Sequence, residues 1–153
     1  MEIIKYNYEN YLKDAFIEMN KSWIERLFKI EDEDIRVFSK IDDYIKDGGN
    51  IYFTIENNIP IACIMVVPIS NDTAEIVKFA VKDGYGNMGA GTLCLKYAID
   101  EIKKKYKRTI IATNTKCVEA IHLYEKYGFK EFKTTNNYGF SRVDICYELI
   151  TTD

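Results

Sequence analysis

Three strand-like segments follow one another at short intervals and empty into a glycine-rich loop. This order limits the fold more than any other feature of the sequence. Ile51-Tyr52-Phe53-Thr54-Ile55 runs into Asn57-Asn58, a two-residue turn signal. Pro60 to Ile69 follows, rich in β-branched residues, and Asn71-Asp72 marks a second turn before Ala74 to Val81. Turns this short join antiparallel neighbours, because parallel strands need a long crossover. After Val81 the pattern changes. Asp83-Gly84-Tyr85-Gly86-Asn87-Met88-Gly89-Ala90-Gly91-Thr92 is a glycine-rich stretch, and Leu95, Ala98, Ile99 and Ile102 then fall on one helical stripe.

The flanks complete the order. Ile3-Ile4-Lys5-Tyr6 reads as a short first strand, and Leu12, Ala15, Phe16, Met19, Trp23 and Leu27 as the apolar stripe of an amphipathic helix, with Trp23 in the core. The acidic run Glu31-Asp32-Glu33-Asp34 precedes Ile35, Val37, Phe38, Ile41 and Ile45. It reads as the solvated start of a second helix, where the backbone dipole favours negative charge. Further on, Arg108 to Thr113 is a buried strand. Cys117, Ala120, Ile121 and Tyr124 mark a helix face that Gly128 stops. Phe129 to Lys133 and Val143 to Ile150 are two last strands joined by a polar turn at Asn136-Asn137. The order β-α-α-β-β-β-α-β-α-β-β describes one α/β domain over residues 1–153 without a visible linker.

Composition excludes several function classes. Twenty-one Lys and Arg against 24 Asp and Glu give a net charge of −3, so a nucleic-acid partner is not expected. Four widely spaced cysteines and one histidine, His122, offer little to a zinc site or a Cys/His pair, so no metal is expected. They suit a reduced, cytoplasmic chain. The first residues lack a charged-then-apolar leader pattern. The longest apolar run, Ile61 to Val67, falls far short of the ~20 residues that cross a bilayer, so no membrane partner is expected.

The loop carries the functional signal. Glycines permit close backbone approach, and a helix start presents unpaired N–H groups at the positive end of its dipole, which together suit a phosphate or pyrophosphate. Gly84, Gly86 and Gly89 spell a literal G-x-G-x-x-G, but a dinucleotide fold places that loop after its first strand and an acid ~20 residues on. Here three hairpin-linked strands come first, and the next strand ends at Thr113-Asn114 with no acid.

A different resemblance accommodates these features. Gly86-Asn87-Met88-Gly89-Ala90-Gly91, opening a helix after an antiparallel strand, is similar to the Gln/Arg-x-x-Gly-x-Gly/Ala signature of the GNAT superfamily of acyl-CoA-dependent N-acetyltransferases. It departs at the first position, where Gly86 stands for Gln or Arg. Downstream, Ala120 to Phe129 resembles the family's Ala-x-x-x-Tyr-x-x-x-Gly-Phe, with Tyr124 as the tyrosine. The family's asparagine position falls on Cys117 by the usual spacing, or on Asn114 by the spacing of one family branch. Glu75 to Val81 is similar to that branch as well. The resemblance implies a mixed, mostly antiparallel central sheet flanked by helices and splayed between the fourth and fifth strands.

It also implies a chemistry: transfer of an acetyl group from the cosubstrate acetyl-CoA to a primary amine, a small molecule or a peptide, by direct attack. The stretch Gly86, Asn87, Met88, Gly89, Ala90, Gly91 and Thr92 would cradle the pyrophosphate. Phe79, Ala80 and Val81 would lend a free strand edge to the pantetheine arm, and a backbone N–H near Phe79 would meet the developing negative charge. Asn114 would bond the carrier or cap the next helix. Tyr124, a phenol protonated at neutral pH, would act as general acid to the leaving thiolate. Glu75 or a water chain would take the amine's proton. The first 50 residues carry 8 Lys and Arg and 12 Asp and Glu, a balance of −4 that would suit a cationic acceptor, although acidic helices are as often plain solvent faces. Two other readings stay open, a non-catalytic acyl-CoA sensor of the same fold and a nucleotide-binding regulatory domain, and so does a homodimer.

Overall fold

The computed structural model describes residues 1–151. In chain order the elements are β1 (Glu2–Lys5), α1 (Asn10–Leu27), α2 (Asp32–Ser39), α3 (Ile41–Lys46), β2 (Asn50–Glu56), β3 (Ile59–Pro68), β4 (Thr73–Val81), α4 (Ala90–Lys103), β5 (Arg108–Thr113), α5 (Val118–Lys126), β6 (Lys130–Phe132) and β7 (Ile145–Ile150). The strands form one seven-stranded sheet ordered β1-β2-β3-β4-β5-β7-β6, antiparallel throughout except for the β4–β5 pair. The short turns set the antiparallel pairing of β2, β3 and β4, and the whole is the mixed, mostly antiparallel sheet that the resemblance implied, flanked by helices on both faces.

The turn chemistry explains the first three hairpin-linked strands. Asn57 and Asn58 both take positive φ, +50° and +65°, the twist-matched geometry of a two-residue hairpin that asparagine tolerates. β3 is apolar from Ile61 to Val67 because both of its faces are covered, so its sequence does not alternate. On one face Leu95, Ala98, Ile99 and Ile102 of α4 pack against Ile64, Val66 and Ile76; on the other, Leu12, Phe16 and Met19 of α1 pack against Phe53, Met65 and Val67.

The single helix expected after the acidic run is two. Ser39 Oγ donates to the Arg36 carbonyl at 2.9 Å, Lys40 leaves helical geometry at φ −124° and ψ 24°, and α3 starts anew at Ile41. A serine hydroxyl that competes for a helical carbonyl favours such a break. The polar turn expected at Asn136-Asn137 is a longer strap, residues 133–144, that crosses toward α2 before entering β7. No helix among the described residues is long and apolar enough to cross a membrane.

The β4–β5 pairing is short. Only Thr73 to Ile76 align with Arg108 to Ile111; β4 then continues to Val81 and β5 to Thr113 without pairing. The splay coincides with a bulge. On β3, Val66 faces Ile76 and its neighbour Met65 faces Lys78, so Val77 has no partner of its own. An extra residue bends a strand and re-aims the side chains after it.

Candidate active site

A cleft of about 940 Å³ opens where β4 and β5 part. Its floor is the unpaired end of β4, with Phe79, Ala80 and Val81. One side is the glycine loop and the start of α4, another is α5 with Tyr124, and the far end is closed by the end of α1 and the 133–144 strap.

The loop leaves its main-chain donors free. Tyr85 N–H donates to the Lys82 carbonyl and Leu93 N–H to the Gly89 carbonyl. Among the described residues, no backbone N–H from Gly86 to Thr92 donates within the protein. Gly89 caps α4 at φ +79°, a conformation costly for other residues. Gly91 is required for a different reason. A Cβ there would stand 2.8 Å from Val81 Cγ2 and 3.3 Å from Phe79 Cζ, so the helix start lies flush against the open strand edge only because the side chain is absent. Thr54 Oγ1 anchors that start from β2 by donating to the Ala90 carbonyl at 2.9 Å.

The predicted site residues divide. Phe79, Ala80, Val81, Gly86, Asn87, Gly89, Gly91, Thr92, Asn114 and Tyr124 line the cleft. Ala90 is buried behind the helix start, and Met88 is exposed outside the lining. Tyr124 packs its ring among Phe79, Phe129 and Tyr147, with centroids 6.0, 5.9 and 6.4 Å away. It is 4% exposed, and burial pushes its pKa up, so the phenol keeps its proton through neutrality. Among the described residues its hydroxyl makes no hydrogen bond, yet it is not one of the sealed polar atoms, a condition that only Thr109 Oγ1 meets. Asn114 does not cap α5, whose N-cap is Cys117. Its Nδ2 donates to the Arg142 carbonyl at 2.7 Å, and its Oδ1 accepts from Lys116 N–H at 2.8 Å, which fastens the strap to the end of β5.

Glu75 is placed apart from these. It does not line the cleft, and it lies on the α2 side of β4. Burial raises its pKa to about 7, against the lowering effect of Lys78. Strict alternation would set Glu75 and Phe79 on one face of the strand. The bulge at Val77 separates them, turning Phe79 and Val81 toward Tyr124 and leaving Glu75, Lys78 and Ala80 on the other side.

Sequence reasoning missed the far wall. Asp34, taken for part of a solvated acidic run, is fully buried. Its Oδ1 accepts from Lys78 Nζ at 2.9 Å and Arg142 Nη2 at 2.7 Å; its Oδ2 accepts from Arg142 Nη1 at 2.8 Å and Glu31 N–H at 2.9 Å. Burial would raise the Asp34 pKa, but Arg142 and Lys78 outweigh it and hold the carboxyl at about 2. Arg142 lies over the rings of Phe140, Trp23 and Phe28 at 4.5, 5.6 and 6.0 Å, so Trp23 belongs to the cleft wall rather than to the core alone. The available signal was Lys78, a lysine inside the otherwise apolar stretch Ile76 to Val81. A buried ammonium requires a carboxylate.

Comparison with known proteins agrees with this geometry. An acetyltransferase from Staphylococcus aureus, of the GNAT family, superposes with a TM-score of 0.84 at 22% identity over 99% of this chain and 100% of its own. An acetyltransferase from Streptococcus agalactiae gives 0.81 at 20% identity over 97% of each chain. A GNAT family acetyltransferase from Elizabethkingia anophelis, with acetyl-CoA bound, gives 0.68 at 24% identity over 97% of each. Likeness at these identities speaks for the fold. Residues 13–129 also match the model of the Acetyltransferase (GNAT) family, more than half of the sequence, from within α1 through the glycine loop to just past the end of α5, and the chain therefore belongs to that family.

Proposed function

We propose that the protein transfers an acetyl group from acetyl-CoA to a primary amine. One observation carries this reading: a run of free amides, Gly86 to Thr92, stands at the end of an unpaired strand edge, Val77 to Val81, in one cleft. A diphosphate suits the first and the amide-rich arm of the carrier the second. The residues present fit the carrier, since the loop keeps open space around Gly84, Gly86 and Gly89 where side chains would intrude. Bound there, acetyl-CoA would supply an acetyl group activated as a thioester.

The chain's own residues would do the rest. The main-chain N–H groups of the loop hold the phosphates, and the backbone of Phe79 to Val81 orients the arm. A main-chain N–H of that edge donates to the oxygen on which negative charge develops. Tyr124, which burial keeps protonated at neutrality, would donate its phenolic proton to the leaving thiolate at the cleft wall, and the phenolate would regain a proton from water in the cleft. The amine's proton leaves to water in the cleft, with Glu75, across β4, as the alternative acceptor.

The test is acetyl-CoA consumption over a broad panel of amino acids, polyamines, aminoglycosides and peptide N-termini, run beside thermal shifts with acetyl-CoA and with a nicotinamide dinucleotide. Stabilisation by acetyl-CoA that follows ligand concentration, together with turnover of at least one amine, is expected. A shift with the dinucleotide and none with acetyl-CoA would overturn the reading. Binding without turnover of any amine leaves a sensor in its place.

A further inference from the structure

The far end of the cleft has one-sided charge. Lys78, Arg142 and Lys116 converge there. The Phe140 ring lies 4.4 Å from Lys78 Nζ and 4.5 Å from the Arg142 guanidinium, and the Phe28 ring lies 6.0 Å from Arg142 and 5.4 Å from Lys116 Nζ. Among the described residues two acids line the cleft, and neither forms an ion pair with these cations. Asp83, at the root of the glycine loop, holds Arg26 at 3.0 Å and Ser22 at 2.6 Å; Glu119 lies in the first turn of α5. Asp34 and Glu31 stand behind Arg142 and are committed to it and to Lys78. Lys78 and Arg142 are thereby balanced and shielded. Lys116 is exposed, lines the cleft, and among the described residues has no carboxylate within ion-pair distance. What the far end presents to an incoming molecule is an uncompensated ammonium over an aromatic floor.

We propose that the acceptor is an amine carrying a carboxylate or a phosphate of its own, and that Lys116 meets that anion. This rests on the acetyl-transfer reading and narrows it. The acidic balance of the first 50 residues does not oppose it, because none of those acids lines the cleft, and those nearest it are committed, Glu31 and Asp34 to Arg142. A polyamine or aminoglycoside would bring several ammonium groups up to the Lys116 ammonium, and like charges brought together carry a cost.

The experiment compares matched acceptors by initial rate at neutral pH: β-alanine with β-alaninamide for a carboxylate, phosphoethanolamine with ethanolamine for a phosphate, and spermidine as a polycation. The anionic member of each pair has the more basic amine, hence less of the neutral form, so the comparison is weighted against the expected result. The expected result is a kcat/KM higher for the anionic member by roughly tenfold, and the pair with the larger ratio identifies the anion. Lys116→Gln should raise KM for that acceptor roughly fivefold, with kcat, the neutral acceptor and the acetyl-CoA thermal shift unmoved. Equal or better turnover of the neutral members, preference for spermidine, or a Lys116→Gln effect that falls on acetyl-CoA instead would overturn the inference. So would failure of every pair while another amine of the broad panel is acetylated, which leaves acetyl transfer standing. Absence of turnover with any amine overturns both.

Discussion

Replacing Asp34 by asparagine tests the far wall most severely. The side chain keeps its shape and loses its charge, which leaves Lys78, with 1% of its side chain exposed, and Arg142, with 10%, as cations without a carboxylate between them. The asparagine Nδ2 also turns a donor toward groups that are themselves donors. Breaking a buried pair from one side costs about 3–5 kcal/mol, which for a chain of this size lowers the melting temperature by roughly 6–20 °C. The domain as a whole is stable by about 5–15 kcal/mol, so the variant is expected to fold but to melt early. Thermal unfolding followed by circular dichroism at neutral pH reads the effect. A second arm replaces Asp34, Lys78 and Arg142 with apolar residues, Asp34→Leu, Lys78→Met and Arg142→Met, together with Glu31→Gln, and most of the loss should return, since removal of a whole buried ion cluster is often neutral. Acid supplies an independent check. The folded carboxyl at about 2 lies below its ordinary 3.8, so its contribution is complete above pH 3.8 and is lost as the pH falls toward 2. Wild type should shed about 2 kcal/mol through that window and Asp34→Asn should not. A variant melting within about 2 °C of wild type, or sharing its acid profile, would refute the assignment of a tight buried cluster.

Three further outcomes are expected. Tyr124→Phe should lower kcat by about 100-fold or more while the thermal shift with acetyl-CoA persists, and unchanged turnover would remove Tyr124 as proton donor. Gly91→Ala should melt lower and bind acetyl-CoA more weakly, because overpacking against Val81 and Phe79 costs about 1–3 kcal/mol against at most ~1 kcal/mol gained in helix propensity. Val81→Ala in the same chain should relieve the clash, and a Gly91→Ala protein as stable as wild type would count against the close approach. For Glu75 the folded pKa, about 7, lies above the ordinary 4.5, so wild-type stability should fall as pH rises from 4.5 to 7 and level off beyond. Glu75→Gln should abolish that slope and keep its turnover if water takes the amine's proton; a collapse of kcat/KM would return the role to Glu75.

What the sequence disclosed follows from how local each signal is. The hairpin at Asn57-Asn58, the apolar runs of β3 and β5 and the stripe of α4 are written in neighbouring residues, and each falls where it was expected to within a residue or two. The glycine loop was legible because an open, left-handed N-cap at Gly89 requires glycine whatever surrounds it. The function of Gly91 was not, because its constraint comes from Val81, ten residues away and across a turn of the fold. Asp34 was misplaced for the same reason. Its environment is made by Lys78 and Arg142, 44 and 108 residues away, and an acidic run gives no hint of which member turns inward. The strap was read as a plain turn because Ser141 and Arg142 carry no local pattern; they are held by Glu31 and Asp34, far upstream.

The bulge at Val77 ties these separate facts to one cause. It sits at the last paired residue of the β4–β5 ladder, where Ile76 meets Ile111, so the bend it introduces falls where the two strands begin to part. Beyond it the alternation of β4 is shifted by one. Phe79 and Val81, which strict alternation from Ile76 would turn toward α1, instead face α4 and Tyr124, and Val81 comes close enough to require glycine at 91. Lys78, which would otherwise have faced α4, is turned to Asp34 beneath α2. One unpaired residue thus opens the strand edge, sets the aromatic wall beside Tyr124 and aims the cation that fixes the strap. A strand is read from sequence by its period of two, and a single insertion into that period is invisible until the partner strand is known. That is why the period of two would have set Glu75 beside Phe79 and Lys78 beside Ile76, where the structure separates both pairs.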